Sequence, residues 1–198
     1  MLKFLIMSQP RSQSKWLSQY LSFGDQKVGH DLSMGCKTLD EFVSRTTGYD
    51  GTVETSLVLG YEVLRNLFPE TKFGTLSRPV YEIGASFNQI GLEADWPFLL
   101  AQDLMISSLA WNESGVLSIS KRSLSSKMIR FNVAEYLTGR IPDESWDKSM
   151  DRNIQVPAPE IRKNVEQNVR NSAALIWDIA RRVSELRARG LEESASWL

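Results

Sequence analysis

"FLIMSQPRSQSKWLSQYL", residues 4–21, decides how the rest of the chain is read. Leu2–Met7 is an apolar run in which only Lys3 is polar, the pattern of a short buried strand. Trp16, Leu17, Tyr20 and Leu21 fall at i, i+1, i+4 and i+5, one face of a helix. Between strand and helix stand Arg11, Ser12, Gln13, Ser14 and Lys15. A strand, a small polar turn and a helix start present unpaired N–H groups and a positive dipole end. Arg11 adds a guanidinium that can hold an oxyanion through two bonds. The stretch is not a Walker A loop. GxxxxGK[ST] would need glycine at Gln9 and Ser14 and a hydroxyl residue where Trp16 stands. From these residues alone, an anion site and a plain capped helix with a solvated loop carry about equal weight.

Outward from this unit, helical and extended patterns alternate. "KVGHDL" reads as a short strand or extended loop, and Thr38 with Glu41 forms a capping box ahead of "LDEFVSRT". "GTVE" is extended, Ser56 is placed to cap a helix, and Leu57, Tyr61, Leu64, Leu67 and Phe68 give that helix its face. "KFGTLS" and "GVLSIS" are further strands. Pro79 suits a first helical turn. "ADWPFLLAQDLMISSLAW" is apolar enough to predict a buried helix, with Trp96 and Trp111 in the core. "SSKMIRFNVAEYLTG" predicts an amphipathic helix closed by Gly139, residues 140–158 a loop, and residues 160–189 a long charged helix. Strands alternating with helices imply α/β architecture with a parallel sheet covered on both faces. Ligands of such sheets sit outside the carboxyl ends of the strands. That rim would carry residues 8–15, the Ser77–Arg78 turn, and the segments of His30 and Glu54.

Composition narrows the classes. The chain has 198 residues, enough for one α/β domain, and 42% of them are hydrophobic, which argues against a wholly disordered chain. A formal net charge of −1 gives no electrostatic footprint for nucleic acid. A single cysteine, Cys36, rules out an intrachain disulfide and a multi-cysteine zinc site, and packs most simply as a small apolar residue. "FLIM" is too short for a signal or membrane segment, so the expected location is the cytoplasm. Asp143, Glu144, Asp147 and Asp151 read as a solvated acidic face, and no metal is expected. Arg181, Arg182, Arg187 and Arg189, alternating with Glu185 and Glu192, read as a solvent- or partner-facing surface.

"PRSQSKWL", residues 10–17 after "FLIMSQ", resembles the first motif of the sulfotransferases that use 3′-phosphoadenosine 5′-phosphosulfate (PAPS), approximately P-[KR]-S-G-[TS]-T-W-L. Pro10, Arg11, Ser12, Ser14, Trp16 and Leu17 match, whereas Gln13 replaces the glycine and Lys15 the last threonine. "TLSRPVYEIGASF" resembles the second motif, an arginine at a strand end and a serine eight residues on, here Arg78 and Ser86. Two further stretches, "GTVETSLVLGYEVLRNLFPETKFGTLSRPVYEIGASFNQIGL" and "YLTGRIPDESWDKSMDRNIQV", resemble bacterial and phage members. The resemblance spans residues 1–157.

What it implies is a three-layer P-loop-like α/β fold with a short central parallel sheet. Residues 1–157 would be the sulfotransferase-like domain, and 158–198 a long C-terminal helix packed on it or extending from it. PAPS would be the donor and 3′-phosphoadenosine 5′-phosphate (PAP) the product. Arg11, Ser12, Gln13, Ser14, Lys15 and Trp16 would hold the phosphosulfate, and Arg78 with Ser86 the 3′-phosphate. Lys15 would also serve the chemistry. The acceptor base would be His30, whose imidazole titrates near neutrality, or Glu54; a surface histidine and a helix-capping glutamate are the plain alternatives. The acceptor would be a small molecule or a carbohydrate, with no nucleic acid or membrane partner, and self-association is open through the C-terminal helix. The alternatives are a nucleotide-binding module of this fold without chemistry, which Gln13 and Lys15 favour, and a small kinase-like phosphotransferase.

Overall fold

The computed structural model describes residues 2–55, 57–150 and 165–195. Five strands form one fully parallel sheet in the order β2-β3-β1-β4-β5. They are β1 (Phe4–Ser8), β2 (Val28–His30), β3 (Gly51–Thr55), β4 (Lys72–Ser77) and β5 (Val116–Ser120). The α-helices are α1 (Ser14–Tyr20), α2 (Leu39–Thr46), α3 (Tyr61–Leu67), α4 (Val80–Gln89), α5 (Trp96–Asn112), α6 (Lys127–Thr138), α7 (Glu144–Ser149) and α8 (Val165–Ala195). The opening strand is thus central, shifted slightly from the expected Leu2–Met7, and α1 begins where the polar turn ends.

β1 is buried on both faces, and its alternation divides the core into two layers. Leu5 and Met7 pack with residues of α2, α3, α5 and α8, including Phe42, Leu64, Ile106, Leu175 and Ile179. Phe4 and Ile6 point the other way, onto Leu17, Tyr20, Val133 and Leu137 of α1 and α6. A central parallel strand buried on both faces reads as a continuous apolar run, which is why "FLIM" is informative. Phe4 lies opposite Gly51 in the register, and a Cβ there would meet the phenyl ring at 2.2 Å. Glycine is required by close approach. From β1 the chain crosses to one side for β2 and β3 and to the other for β4 and β5. β1 therefore ends at the topological switch point, where such sheets bind ligands.

Several expectations need correction. The helix expected over 57–68 is a 3-10 turn at Leu57–Gly60 followed by α3, and Ser56 lies outside the described residues. α5 is not buried all round. Leu99, Gln102 and Ile106 face the sheet, while Leu100, Leu104 and Trp111 are exposed, Trp111 at 91%. Trp96 is half exposed, and its ring packs where a Cβ on Gly84 would stand, at 2.2 Å. The stretch 140–158 contains α7. Asp147 is no solvated acid: it is buried, bonded to both Nε and Nη2 of Arg130 at 2.7 Å, and accepts the Tyr20 hydroxyl at 3.1 Å. Asp151 lies outside the described residues.

Of the C-terminal arginines, Arg181 pairs within α8 with Asp178 and Glu185, whereas Arg182 reaches Asp40 of α2 and Arg187 reaches Glu62 of α3. With Leu175 and Ile179 in the core, these pairs seat α8 on the layer of α2 and α3. Cys36 is fully buried as expected. No helix among the described residues is long and apolar enough to cross a membrane.

Candidate functional site

The turn after β1 has an unusual backbone. Arg11 and Gln13 both adopt positive φ, 60° and 70°. Gln13 is the N-cap residue of α1, sits in the left-handed region at φ 70°, ψ 24°, and makes no side-chain cap bond. Its position is the one where the sulfotransferase motif carries glycine, so the loop keeps a glycine-like shape with a side chain that disfavours it. The first-turn amides of α1 have no intrahelical acceptors. Ser12 is fully buried, and its hydroxyl donates to the Gln9 carbonyl, closing the turn and not reaching outward. Trp16 likewise faces the protein: its indole N–H donates to the Met150 carbonyl at 2.8 Å and its ring stacks on Tyr20 at 5.0 Å. Of the other loop side chains, Gln13 is exposed, Arg11 and Lys15 are half-buried, and Ser14 is buried against His30.

Gln9 is fully buried and braces this loop. Its Oε1 accepts the Arg78 amide at 2.7 Å, and its Nε2 donates to Asp103 Oδ1 of α5 at 3.0 Å. The two expected anion elements meet here. Arg78 Nη1 donates to the Arg11 carbonyl at 2.6 Å, and Arg11 Nε donates to Ser86 Oγ at 3.0 Å. α4 begins after Pro79 and carries Ser86 about two turns along, which aims the serine back at the β1 turn. Arg11 is held below its ordinary pKa, by burial first and by Arg78 second. Two guanidiniums stand side by side here, and the Nε of Arg78 is paired with Glu82 Oε2 at 3.1 Å.

On the other side of β1, His30 ends β2. Its Nε2 lies 3.0 Å from Ser14 Oγ and 3.4 Å from Asp31 Oδ2. The tautomer decides which group donates. Burial lowers the His30 pKa, Asp31 opposes this, and Lys15 lowers it further, for a net downward shift. Asp31 has φ 50° and is fixed by the Thr55 amide at 2.7 Å and hydroxyl at 2.8 Å. Glu54 lies below the rim, with no exposed surface. Its Oε1 accepts the Leu32 amide at 2.9 Å and the Thr52 hydroxyl, and its Oε2 accepts the Ser33 amide at 3.0 Å. Burial, then Asp31, push its carboxyl up to about 7, against the hydrogen bonds. With both oxygens engaged, Glu54 is placed to fasten the turn behind His30, not to reach an acceptor.

The structure thus brings together Arg11, Ser14, Lys15, His30, Arg78 and Ser86, and leaves Ser12, Trp16 and Glu54 facing inward. Sequence reading singled out neither Gln9 and Asp31, which brace the loop and His30, nor the cluster that Glu82 forms with Arg78, Lys121 and Arg122. The last two follow β5, so the rule of strand carboxyl ends pointed to them. Gln9 carried no signal beyond its place before Pro10.

No protein-family model matches the chain, and no curated protein does at a significant level. Among solved structures, mouse sulfotransferase SULT7A1 complexed with PAP is similar, with a TM-score of 0.51 and 13% sequence identity. The match covers 75% of this chain and spans 62% of that protein's. At this identity the likeness establishes a fold of the sulfotransferase type.

Proposed function

We propose that this chain is a sulfotransferase that moves a sulfuryl group from PAPS to a hydroxyl or amine of a small-molecule or carbohydrate acceptor. One observation carries the reading: Arg78 donates to the Arg11 carbonyl at 2.6 Å while Arg11 donates to Ser86 at 3.0 Å, which joins the two motifs at the switch point. The similar mouse enzyme was crystallised with PAP, which is consistent with the same ligand class.

The residues present fit such a donor. Gln13 departs from the motif in its side chain yet holds the left-handed backbone a glycine would supply. Lys15 exchanges a hydroxyl donor for a cation beside an anionic group. PAPS, when bound, supplies an activated sulfuryl group. The loop amides, Arg11 and Lys15 would hold the phosphosulfate, and Arg78 with Ser86 the 3′-phosphate. Preorganised donors aimed at developing negative charge are the chief means of speeding group transfer of this kind.

His30 would take the acceptor's proton. Its depressed pKa keeps the imidazole neutral at pH 7, and Asp31, 3.4 Å away, would stabilise the imidazolium once the proton arrives. Glu54 holds the turn in place. The second reading is a nucleotide-binding module without turnover, favoured by the absence of both glycine and threonine from "PRSQSKWL". A kinase-like reading has less support, because the strands end in Ser8, His30, Thr55, Ser77 and Ser120, none a carboxylate.

Thermal-shift titration with PAP, ATP and AMP tests the reading. Ligand at 100 times its dissociation constant stabilises by about 2.7 kcal/mol, and PAP is expected to act at the lowest concentration. PAPS turnover against a panel of hydroxyl and amine acceptors then separates enzyme from binding module. No shift with millimolar PAP would overturn both.

A further inference from the structure

Glu82 in the first turn of α4 is surrounded by cations. Its Oε2 lies 3.1 Å from Arg78 Nε and 3.8 Å from Lys121 Nζ, and its Oε1 is 2.8 Å from Arg122 Nη2. Arg122 Nη2 also meets the Tyr81 hydroxyl at 3.0 Å. Pro79 at the N-cap offers no side-chain cap to α4, so the helix start adds its own positive end. Arg11 stands behind Arg78. One carboxylate therefore faces three cations, with a fourth next to them.

The placement is built into the sheet. The Lys121 amide donates to the Ser77 carbonyl at 2.8 Å, which extends the β4–β5 ladder one step past Ser120. Lys121 is thereby set beside Arg78 on the rim. Arg78 and Lys121 are mostly buried, so their mutual repulsion is weakly screened. Lys121 is held below its ordinary pKa by burial first and by Arg78 second. A phosphate monoester carries up to two charges and three acceptor oxygens, and matches this set of donors better than a single carboxylate does.

We infer that the Glu82 carboxylate is a displaceable stand-in for a phosphate monoester, and that Lys121 and Arg122 bind that phosphate together with Arg78. The inference rests on the PAPS reading and deepens it: the phosphate is the 3′-phosphate of the nucleotide, and the site that recognises it extends from β4 and α4 onto the end of β5. On binding, Arg78 and Arg122 transfer their hydrogen bonds from Glu82 to phosphate oxygens, and the carboxylate swings toward solvent. Glu82 then tunes affinity as a competitor.

Calorimetric titration of PAP and AMP, which differ by the 3′-phosphate, tests this in the whole chain. Glu82→Gln is expected to raise PAP affinity about three- to tenfold and leave AMP within about twofold. Lys121→Gln and Arg122→Gln should each lower PAP affinity by about three- to tenfold and spare AMP. A Glu82 that merely orients Arg78 gives the opposite sign, so unchanged or weaker PAP binding by folded Glu82→Gln overturns the stand-in role. If Glu82→Gln does not fold, PAP binding by folded Lys121→Gln and Arg122→Gln decides, and wild-type-like affinity in both overturns the inference. A wild type that binds neither nucleotide sinks the PAPS reading and this inference together. PAP binding without these changes sinks this inference alone.

Discussion

The two sides of β1 divide the rim by charge type. Toward β2 and β3 stands His30, whose imidazole can gain and lose a proton, with Asp31 beside it and Glu54 buried below the rim. Toward β4 and β5 stand the basic side chains of Arg78, Lys121 and Arg122, with the Glu82 carboxylate among them. Arg11, Ser14 and Lys15 sit between and touch both sides: Ser14 meets His30 and Arg11 meets Ser86. A rim so divided can hold a large anion on one side while a proton is handled on the other. Substitutions on the two sides should therefore fail differently, one in rate and one in affinity.

The largest expected effect is on the titrating side. His30→Ala should lower PAPS turnover by about 10²–10⁴-fold while PAP affinity stays within a few-fold. In the wild type, turnover should fall as pH drops, because a charged imidazole accepts no proton. Burial and Lys15 depress the His30 pKa, so this acid limb should lie below the ordinary imidazole range. Stability runs in the same direction. A histidine whose folded pKa is lowered binds fewer protons folded than unfolded, so its contribution weakens as pH falls below the unfolded value. Stopped assays across pH, with PAP binding measured on the same samples, check both statements. A silent His30→Ala beside an inactive Glu54→Gln would move the base to Glu54 and break the division drawn above.

Arg78→Ala probes the other side. It removes the side-chain bond to the Arg11 carbonyl and a cation facing Glu82. Losing a hydrogen bond to a charged group costs about 1.5–3 kcal/mol, so PAP affinity should fall at least about tenfold. AMP affinity should fall less. The variant should fold, since Arg78 lies at the rim and not in either apolar layer. Unchanged PAP affinity in the folded variant would remove Arg78 from the anion side.

How far these differences were legible in the sequence depends on local pattern. β1, its turn and α1 were readable because a doubly buried strand, a polar turn and a helix face each leave a signal within a few residues. The same holds for Arg78 and Ser86, on one strand–turn–helix unit. Ser12 and Trp16 match the motif, yet their polar atoms turn inward to Gln9 and Met150, one near in sequence and one far. Which way a hydroxyl points depends on loop torsions that residue identity does not fix. Glu54 was readable as a rim residue and not as a buried one, because the amides it accepts come from residues 32 and 33 across a strand pair. α5 misled for another reason: its apolar residues circle the helix, and only tertiary contacts select Leu99 and Ile106 for burial. Lys121 and Arg122 are brought to Glu82 through the β4–β5 pairing, a non-local contact.

The smallest effect tests the loop that joins the two sides. Gln13 holds φ 70°, its side chain is exposed and it makes no cap bond, so the strain lies in the backbone. The left-handed conformation costs a non-glycine residue about 1–2 kcal/mol. Glycine removes that cost but gives the unfolded chain more freedom, worth about 0.5–1 kcal/mol. Gln13→Gly should therefore stabilise by up to about 1.5 kcal/mol, a rise of a few degrees at most in melting temperature for a chain of this size. PAP affinity should stay within about twofold, because the backbone already has the shape a glycine would take. A large gain in affinity would mean that the glutamine side chain hinders the anion. A fall in melting temperature would mean that Gln13 makes a stabilising contact and that the positive φ is enforced by the surrounding turn. Either outcome would separate the loop's shape from its chemistry, and would show whether the residue that departs from the sulfotransferase motif weakens the anion side or leaves it intact.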